Sequence, residues 1–257
     1  MNLPYFDLTG KVAIITGGAS GIGRGIADGL ADAGATITLA ARRVEKCELA
    51  CSEIAKRTGV NILAHRCDIT DRREVATLVE DVAAEFGHID ILVNNSGTGG
   101  SEKPILKMTD EDWNQVIDTN LKGAFLLSQA VVGKMVDQGQ GGKIINVASI
   151  GALIGWPNMS AYCASKGGCL QLTKSMALEW VRYNIQVNAI LPGYFETPMN
   201  KEFFATEAGA RAIKSSIPMK RIAQIEEMKG VGVLLASEAS SFMTGSAVVV
   251  DGGHTCW

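Results

Sequence analysis

The chain has 257 residues, a formal net charge of -3, 47% hydrophobic residues and 20% charged residues. This composition is typical of an ordinary globular protein with a sizeable core and excludes a disordered chain. The small net charge gives no reason to expect nucleic acid or an anionic membrane as a partner. Residues 1–10 lack the pattern of a signal peptide, and no apolar run reaches the roughly 20 residues that span a bilayer.

Six cysteines without a paired spacing indicate a reducing compartment, so we predict a cytoplasmic protein. Cys47 and Cys51 lie four residues apart on a predicted helix. The chain has only three histidines, and these are scattered. We therefore predict that the cysteines are buried or surface thiols, with no metal site.

Short apolar segments alternate with amphipathic segments along the whole chain. Thr70 or Asp71 is the predicted N-cap of the third helix, at residues 72–86. In chain order we predict a strand at residues 12–15, a helix at 22–33, a strand at 35–41, a helix at 44–57, a strand at 61–66, a helix at 72–86, a strand at 89–93, a helical region at 109–136, a strand at 143–148, a helix at 161–183, a strand at 185–191, a helix at 226–236 and a strand at 247–250.

Apolar strands separated by helices imply a parallel sheet covered on both faces. Because crossovers between parallel strands are right-handed, we predict an α/β fold with a doubly wound, Rossmann-type sheet of about seven strands. We see no internal repeat and no linker, so residues 1–257 are predicted to form a single domain. The one long stretch without periodicity, residues 193–221, is typical of a lid over a substrate.

A glycine-rich turn, Thr-Gly-Gly-Ala-Ser-Gly-Ile-Gly at residues 16–23, follows the first strand and opens the first helix. Glycines there let the backbone turn sharply and approach a pyrophosphate, whose charge the free amides of the helix N-terminus favour. The order differs from the Gly-x-Gly-x-x-Gly fingerprint, so a glycine-rich turn without a ligand is the alternative. The candidate cofactor-binding residues of this turn are Gly17, Ser20, Gly21, Ile22 and Gly23.

Tyr162 and Lys166 lie four residues apart on a predicted helix and therefore share one face. A free tyrosine has a pKa of about 10 and is a poor base at neutral pH. A neighbouring ammonium stabilises the phenolate and lowers that pKa toward the range of a proton-transfer group. The pair follows several strand–helix alternations, and Ser149 lies upstream at the end of an apolar run.

With these motifs in this order, nearly the whole chain resembles the single-domain members of the short-chain dehydrogenase/reductase family. The resemblance rests on residues 16–23, Asp68, residues 94–97, Asn120, Ser149, Tyr162, Lys166, residues 192–193, Thr197 and residues 251–253. One departure is Ser96, where the family usually has alanine. We expect the hydroxyl to be tolerated and to alter local hydrogen bonding.

The resemblance implies a nicotinamide cofactor and a role for each matching residue. Asp68 would accept a hydrogen bond from the adenine amino group, with Ile69 beside the ring; a helix N-cap is the alternative role for Asp68. Asn95 and Gly97 would lie behind the adenosine ribose. Tyr162 and Lys166 would lie at the nicotinamide, where Lys166 would bind the ribose hydroxyls. Thr197 would meet the carboxamide, and Pro192 and Gly193, after the sixth strand, are the remaining implied cofactor-binding residues.

The end of the second strand indicates the cofactor preference. An NAD enzyme usually places a carboxylate there for the ribose 2′-hydroxyl. This chain has Ala41, Arg42 and Arg43 instead, and a guanidinium matches a 2′-phosphate. NADP(H) is therefore favoured over NAD(H), although Ser20 stands where NADP-dependent relatives often carry a second basic residue. A pair of solvated arginines at a helix start is the alternative.

The resemblance also implies the catalytic roles. Tyr162 is the general acid in reduction and the general base in oxidation, and Lys166 lowers its pKa. Ser149 hydrogen-bonds the reacting oxygen, and Asn120 holds a water that links Lys166 to solvent. Ser149 lacks the Gly-x-Ser-x-Gly elbow of a hydrolase nucleophile. A strand-end hydroxyl that caps a turn is its alternative role.

We predict an NADP(H)-dependent oxidoreductase that acts on a small carbonyl or secondary alcohol, such as a ketone, keto-sugar or polyol. Residues 193–197 resemble gluconate 5-dehydrogenase-like members. Residues 150–158, residues 193–204 and the turn after Gly97 are expected to wall the pocket. Its apolar side chains would be Trp156, Met159, Tyr194, Phe195, Met199 and Phe203.

Two other functions stay open. The first is a 3-oxoacyl-carrier-protein reductase, which needs a basic patch for its acidic partner; residues 135–140 lack one, and only Arg182 lies nearby. The second is an NADP(H)-sensing protein without turnover, although such proteins tend to lose the Tyr–Lys pair. Enoyl reductases space that pair more widely than this chain does.

The resemblance further implies a homotetramer with two-fold interfaces. Residues 226–236 and 247–250 offer apolar faces, and the chain ends on Trp257, a large aromatic residue. We predict that the C-terminal tail lies at a subunit interface near a neighbour's lid. The alternative is a tail that folds back on its own subunit.

Overall fold

The structure is a computed structural model that describes residues 3–197 and 201–256, without the side chains of Lys201 and Phe203. Seven strands form one parallel sheet in the order β3-β2-β1-β4-β5-β6-β7. The strands are β1 Val12–Thr16, β2 Thr36–Ala41, β3 Ile62–Arg66, β4 Ile91–Asn94, β5 Gly142–Val147, β6 Ile185–Pro192 and β7 Ala247–Val250. The predicted doubly wound fold is confirmed.

The central strands are buried along nearly their whole length, which explains why they are rich in apolar residues without a regular alternation. Lys143, Asn146 and Asn188 are buried polar exceptions. The predicted strands agree with the observed ones to within one or two residues. The fourth strand begins later than predicted, at Ile91. The carboxylate of Asp90, just before it, accepts a 2.9 Å hydrogen bond from the amide of Val12 and so joins the starts of two strands.

Nine α-helices lie within the described ranges: α1 Gly21–Asp32, α2 Val44–Thr58, α3 Arg72–Phe86, α4 Asp110–Ile117, α5 Gly123–Gln138, α6 Ser160–Trp180, α7 Lys201–Phe204, α8 Glu207–Ser216 and α9 Lys229–Ala236. The helical region predicted at residues 109–136 is not one α-helix. A π-helical segment, Asp118–Lys122, separates α4 from α5. The helix predicted at 226–236 likewise begins as a 3-10 turn, Ile225–Met228.

Residues 193–221 were predicted to lack periodic structure, yet they contain α7 and α8. Thr206 caps α8 by accepting a 3.1 Å hydrogen bond from the amide of Gly209. Gly209 is also the one residue of α8 that is buried. The inward face of α8, at Gly209, Ala212, Ile213 and Ser216, follows the helical spacing but carries only one large apolar side chain, so the pattern is weak and this helix was not predicted.

Two hydrophobic clusters cover the two faces of the sheet. Side chains such as Ile26 of α1, Ile54 of α2 and Leu235 of α9 pack on one face. Leu78 of α3 and Val131 of α5 pack on the other. Within the described ranges, no helix is long and apolar enough to cross a membrane.

The cysteine side chains are free thiols, and those of Cys47, Cys51, Cys67 and Cys169 are buried. Burial raises the pKa of Cys51 to about 11 and that of Cys67 to about 12. These thiols therefore stay protonated and act as small apolar groups in the core. The described residues contain no group of three His, Cys, Asp or Glu side chains that could hold a metal ion.

Candidate active site

The glycine-rich turn joins β1 to α1 at the carboxyl edge of the sheet. Gly17 and Gly21 have φ angles of +65° and +56°, in the left-handed region that favours glycine. The side chain of Ser20, the N-cap residue, makes no capping hydrogen bond to a described residue. The first amides of α1 are therefore available to a pyrophosphate.

Asn95 braces this turn from the end of β4. Its Nδ2 donates hydrogen bonds to the carbonyl oxygens of Thr16, at 2.9 Å, and Gly17, at 3.2 Å. A Cβ atom added at Gly23 would lie 2.2 Å from the same nitrogen, so a side chain is excluded there. The side chain of Asn95 thus shapes the turn, and its predicted place behind the ribose remains a prediction. The partly buried Ile22 packs against the core beneath the turn.

Gly97 follows β4 and lies close to Asn120 and Lys166. A Cβ atom added there would lie 3.2 Å from Oδ1 of Asn120 and 3.5 Å from Nζ of Lys166. A side chain at this position would fill the space in front of the lysine. Together with the open glycine turn, this empty cradle fits an extended dinucleotide that passes from α1 toward Lys166.

Asp68 follows β3 and is not a helix N-cap, so that alternative is wrong. The cap of α3 is Asp71, whose carboxylate accepts hydrogen bonds from the amides of Arg73, at 2.7 Å, and Glu74, at 3.4 Å. Oδ1 of Asp68 instead accepts from the amide of Thr70, at 3.0 Å, and from its hydroxyl, at 2.8 Å.

Burial raises the pKa of Asp68, but the hydrogen bonds from Thr70 and the charges of Arg42 and Arg66 outweigh burial and lower it. The carboxylate stays ionised at neutral pH and can accept a hydrogen bond. The side chain of Ile69 is largely buried in the core and packs near Gly123 of α5. Its predicted place beside an adenine ring remains a prediction.

Arg42 and Arg43 lie at the start of α2 and are both exposed. On the other side of the cleft, Thr197 closes on the glycine turn: a Cβ atom added at Gly21 would lie 3.3 Å from its Cγ2. Pro192 ends β6, and a Cβ atom added at Gly193 would lie 2.8 Å from Cα of Asp251. The predicted cofactor residues thus lie along one edge of the sheet.

Ser149, Tyr162 and Lys166 come together at the end of β5. Nζ of Lys166 lies 5.7 Å from the centroid of the Tyr162 ring. A Cβ atom added at Gly151 would lie 3.2 Å from Cε1 of Tyr162 and 3.5 Å from Oγ of Ser149. Both side chains therefore converge on the space next to this glycine.

Ser149 does cap a turn, as its alternative role supposed. Its Oγ accepts a 3.0 Å hydrogen bond from the amide of Gly151, in the 3-10 turn Ile150–Ala152. A hydroxyl that accepts through oxygen retains its proton for donation. The cap therefore leaves the O–H of Ser149 able to donate to an oxygen in the pocket.

Asn120 is buried in the π-helical segment Asp118–Lys122. Its Oδ1 accepts a 2.8 Å hydrogen bond from the amide of Thr98, and its Nδ2 donates to the carbonyl of Thr98, at 2.9 Å, and to Oγ of Ser165, at 3.0 Å. Ser165 in turn donates a 2.7 Å hydrogen bond to the carbonyl of Tyr162. The amide of Asn120 thus ties the loop after β4 to α6.

Aromatic rings extend the site away from Tyr162. Trp156 stacks with Tyr162, at 6.3 Å between centroids, and with Tyr194, at 6.2 Å. Tyr194 also meets Phe204, at 5.1 Å, and His254, at 5.5 Å. Phe204 is the last residue of the range 193–204 that was predicted to wall the pocket. Sequence reasoning missed His254, which no motif in the chain singles out.

Phe195 and Met159, two of the residues predicted to wall the pocket, lie in different surroundings. Phe195 does not wall the pocket, because its side chain is 1% exposed and belongs to the core. The segment is extended there, so Tyr194 faces the pocket and the next side chain points the other way. Met159 lies near the loop after β4, with its Cε 3.9 Å from a Cβ atom added at Gly99. Met199 and the side chain of Phe203 lie outside the described residues.

The chain resembles known proteins over nearly its whole length. A model of the short-chain dehydrogenase/reductase family, described as enoyl-(acyl carrier protein) reductase, matches residues 17–255. The chain is 40% identical over 253 residues to a 2-dehydro-3-deoxy-D-gluconate 5-dehydrogenase of Dickeya dadantii (strain 3937). This match covers 98% of each chain. It is 38% identical over 248 residues to a 5-keto-D-gluconate 5-reductase of Escherichia coli (strain K12), which covers 96% of each.

Among solved structures, a gluconate 5-dehydrogenase from Burkholderia cenocepacia J2315 in complex with NADP and tartrate superposes with a TM-score of 0.93. It is 36% identical, and the match covers 98% of each chain. The chain is accordingly an oxidoreductase that transfers a hydride between a nicotinamide cofactor and a carbonyl or CH–OH group. It belongs to the short-chain dehydrogenase/reductase family.

Proposed function

We propose that this protein is an NADP(H)-dependent oxidoreductase that interconverts a keto-sugar acid and its secondary alcohol. The observation that carries the proposal is the convergence of Ser149 and Tyr162 on Gly151, next to the stacked rings of Trp156 and Tyr194. The two curated relatives described above, which act on keto-derivatives of gluconate, support this substrate class.

The residues of the site have different roles in carbonyl reduction. The bound nicotinamide supplies the hydride in reduction and accepts it in oxidation. Tyr162 donates its phenolic proton to the carbonyl oxygen in reduction and takes it back in oxidation. Ser149 donates a hydrogen bond to the same oxygen and stabilises the negative charge that develops there.

Lys166 and Asn120 support this proton transfer. The ammonium of Lys166, held 5.7 Å from the ring centroid of Tyr162, stabilises the phenolate after the proton has left. Asn120 fixes the loop after β4 against α6, so that Gly97 stays open in front of Lys166. We further infer that a water at Asn120 relays the proton between Lys166 and solvent.

The preference for NADP(H) is supported by the exposed pair Arg42 and Arg43 after β2. No carboxylate follows this strand directly to bind a ribose 2′-hydroxyl, whereas a guanidinium can bind a 2′-phosphate. The charge of Arg42 helps to lower the pKa of Asp68, the residue predicted at the adenine, which supports a role for this arginine at the adenosine end of the cofactor. NADP in the Burkholderia relative is consistent with this choice.

A 3-oxoacyl-carrier-protein reductase is the second candidate, because one arginine lies where a carrier protein would need a basic patch. Arg182 lines a surface pocket with Met135 and Gly139, and its guanidinium lies 4.9 Å from the ring centroid of Tyr183. A single arginine is a weak match for an acidic partner. An NADP(H)-sensing protein without turnover is disfavoured, because such a protein would not need Ser149, Tyr162 and Lys166 in this arrangement.

We also infer a homotetramer with a single oxidoreductase domain over residues 1–257 and a lid at 193–221. An apolar groove between α5 and α6, lined by Leu121, Phe125 and Leu172, supports a second copy as its occupant. The predicted surface on α9 is less suited, because that helix packs against α1 around Gly29. β7, at the edge of the sheet, has Val249 exposed and offers a second contact.

The described tail, residues 251–256, folds on its own subunit, where the amide of Met219 donates a 3.1 Å hydrogen bond to the carbonyl of Gly252. Trp257 lies outside the described residues, so its place at an interface remains a proposal. The free cysteines support a reducing, cytoplasmic location, which we propose as well.

A substrate panel tests the proposed function. The purified protein is mixed with NADPH or NADH and with 5-keto-D-gluconate, L-sorbose, an apolar ketone or an acetoacetyl-carrier protein, and the absorbance of the reduced cofactor is followed. We expect 5-keto-D-gluconate with NADPH to give the highest kcat/KM. A higher kcat/KM for the carrier-linked substrate would support the second candidate, and no turnover of 5-keto-D-gluconate with either cofactor would refute the proposal.

A further inference from the structure

The C-terminal turn holds one histidine in a fixed position. The carboxylate of Asp251 accepts three hydrogen bonds of 2.8 Å, from the amide of Gly253 and from the amide and hydroxyl of Thr255. His254 lies inside this turn, and its amide donates a 3.3 Å hydrogen bond to the carbonyl of Asp251. The backbone of the histidine is therefore preorganised.

The turn is also docked against residues 193–221. A Cβ atom added at Gly253, which has a φ of +86°, would lie 3.0 Å from the side chain of Pro218. Gly193 meets Asp251 equally closely, as described above. These contacts join the turn that carries the histidine to the segment 193–221.

The imidazole of His254 stands at the end of a row of rings that begins at Tyr162. Successive centroids lie 6.3 Å apart from Tyr162 to Trp156, 6.2 Å from Trp156 to Tyr194 and 5.5 Å from Tyr194 to His254. Burial and the charge of Tyr162 both raise the pKa of Tyr194, so its phenol stays neutral. The imidazole thus lies beside Tyr194, at the end of the row that is farthest from Tyr162.

Nδ1 of His254 is buried and has no hydrogen-bond partner within the part of the chain that the structure describes. Buried polar atoms are nearly always hydrogen-bonded, because an unsatisfied one loses its bonds to water without compensation. Aromatic rings provide shape to the neighbouring pocket wall but few hydrogen bonds. A polyhydroxylated substrate in such a pocket needs a polar partner beyond Ser149 and Tyr162.

We propose that His254 is a specificity-determining residue whose Nδ1 hydrogen-bonds an oxygen of the keto-sugar acid, at the end remote from its reacting carbonyl. An imidazole nitrogen can donate to a carboxylate or accept from a hydroxyl, depending on its tautomer and charge. The inference rests on the proposed function, because it requires a substrate with a polar far end.

Two substitutions separate hydrogen bonding from packing. His254→Phe keeps a ring but removes both nitrogens, and His254→Asn restores an amide group close to the position of Nδ1. Each variant is assayed with 5-keto-D-gluconate and with the best apolar ketone of the substrate panel. Thermal unfolding and the KM for NADPH serve as controls for folding and cofactor binding.

We expect His254→Phe to lower kcat/KM for 5-keto-D-gluconate about tenfold, mainly through a higher KM, as for one lost hydrogen bond. The apolar ketone should keep its kcat/KM in that variant, and His254→Asn should recover most of the loss. An equal loss for both substrates, or an Asn variant no better than Phe, would show a packing role and overturn the inference.

The two proposals fail in different ways. If the wild-type enzyme reduces 5-keto-D-gluconate and His254→Phe leaves its selectivity unchanged, the inference about His254 fails alone. If the wild-type enzyme reduces no keto-sugar acid, the proposed function fails, and the inference fails with it.

Discussion

Nζ of Lys166 donates a 2.8 Å hydrogen bond to the main-chain carbonyl of Val147, the last residue of β5. The lysine is 5% exposed, so this bond satisfies a largely buried ammonium and holds it next to the ring of Tyr162. Ser149 lies two residues beyond Val147. The end of one strand therefore positions both the ammonium beside the ring of Tyr162 and the hydroxyl of Ser149.

The first prediction concerns Tyr162. Tyr162→Phe should lower kcat by about 10²-fold or more, because it removes the proton donor, while the affinity for NADPH stays unchanged. Steady-state kinetics and cofactor titration measure the two effects. Tyr5→Phe, at an exposed residue near the N-terminus, is the control and should leave turnover unaltered. Near-normal turnover of Tyr162→Phe would contradict the catalytic assignment.

The second prediction concerns Gly151. A Cβ atom there would lie 3.0 Å from Cζ3 of Trp156 and 3.2 Å from Cε1 of Tyr162, so Gly151→Ala must displace one ring. We expect kcat/KM to fall by about 10-fold to 10²-fold, because small displacements at a reacting centre are costly. Gly155→Ala in the same loop is the matched control, since no atom lies within 4 Å of the added Cβ. Equal activity in the two variants would argue against this geometry.

The third prediction concerns the cofactor. Arg42→Ala should weaken the binding of NADPH more than that of NADH, by about 1–3 kcal/mol for a lost charged hydrogen bond. The KM values of both cofactors are compared with those of Lys46→Ala, a change of an exposed cation on α2. Unchanged KM values in Arg42→Ala, or a wild-type preference for NADH, would show that the preference is misassigned.

The fourth prediction concerns assembly. Light scattering at micromolar concentration should give a tetramer, and Phe125→Asp should shift it to smaller species by placing a carboxylate in the apolar groove. Phe125 is 38% exposed in the isolated chain; Leu49→Asp, at a 69% exposed residue on α2, is the control. A monodisperse wild-type monomer would refute the assembly.

The role of the tail in this assembly needs its own variant. Deletion of residues 255–257 should weaken the tetramer or change the KM of the substrate if the tail lies near a neighbour's lid. A tetramer and KM that are both unaltered would refute that role and leave the rest of the assembly prediction standing.

The fifth prediction concerns pH. Hydrogen bonds from the guanidinium of Arg221, both 2.7 Å long, and from the amide of Gln224 lower the pKa of Glu227 from 4.5 to about 2. The pair therefore stabilises the fold above about pH 4.5, and this contribution is lost as the pH falls toward 2.

Glu227→Gln should lower the free energy of unfolding at pH 7 by about 0.5 kcal/mol, because the pair is exposed and screened by solvent. Denaturant unfolding across this pH range should show the difference disappearing as the pH falls from 4.5 to 2. Glu226→Gln, at the neighbouring exposed carboxylate, is the control. A difference that persists at the acid end would mean that charge is not its cause.

Features that depend on nearby residues could be predicted from the sequence. The bounds of α3, Arg72–Phe86, were predicted correctly, because Asp71 caps its start and Gly87, with a φ of +83°, ends it. The approach of Lys166 to Tyr162 follows from the helical repeat alone. The order of apolar strands and helices was likewise enough to predict the parallel sheet.

Features that join distant segments were decided only by the tertiary structure. The bond from Lys166 to Val147, the brace of Asn95 on the glycine turn and the place of His254 beside Tyr194 leave no trace in local sequence patterns. The same holds for Phe195, which turns into the core because its segment is extended. Local patterns report on residues within a turn or two of one another, whereas these contacts depend on which strand ends the folded sheet places side by side.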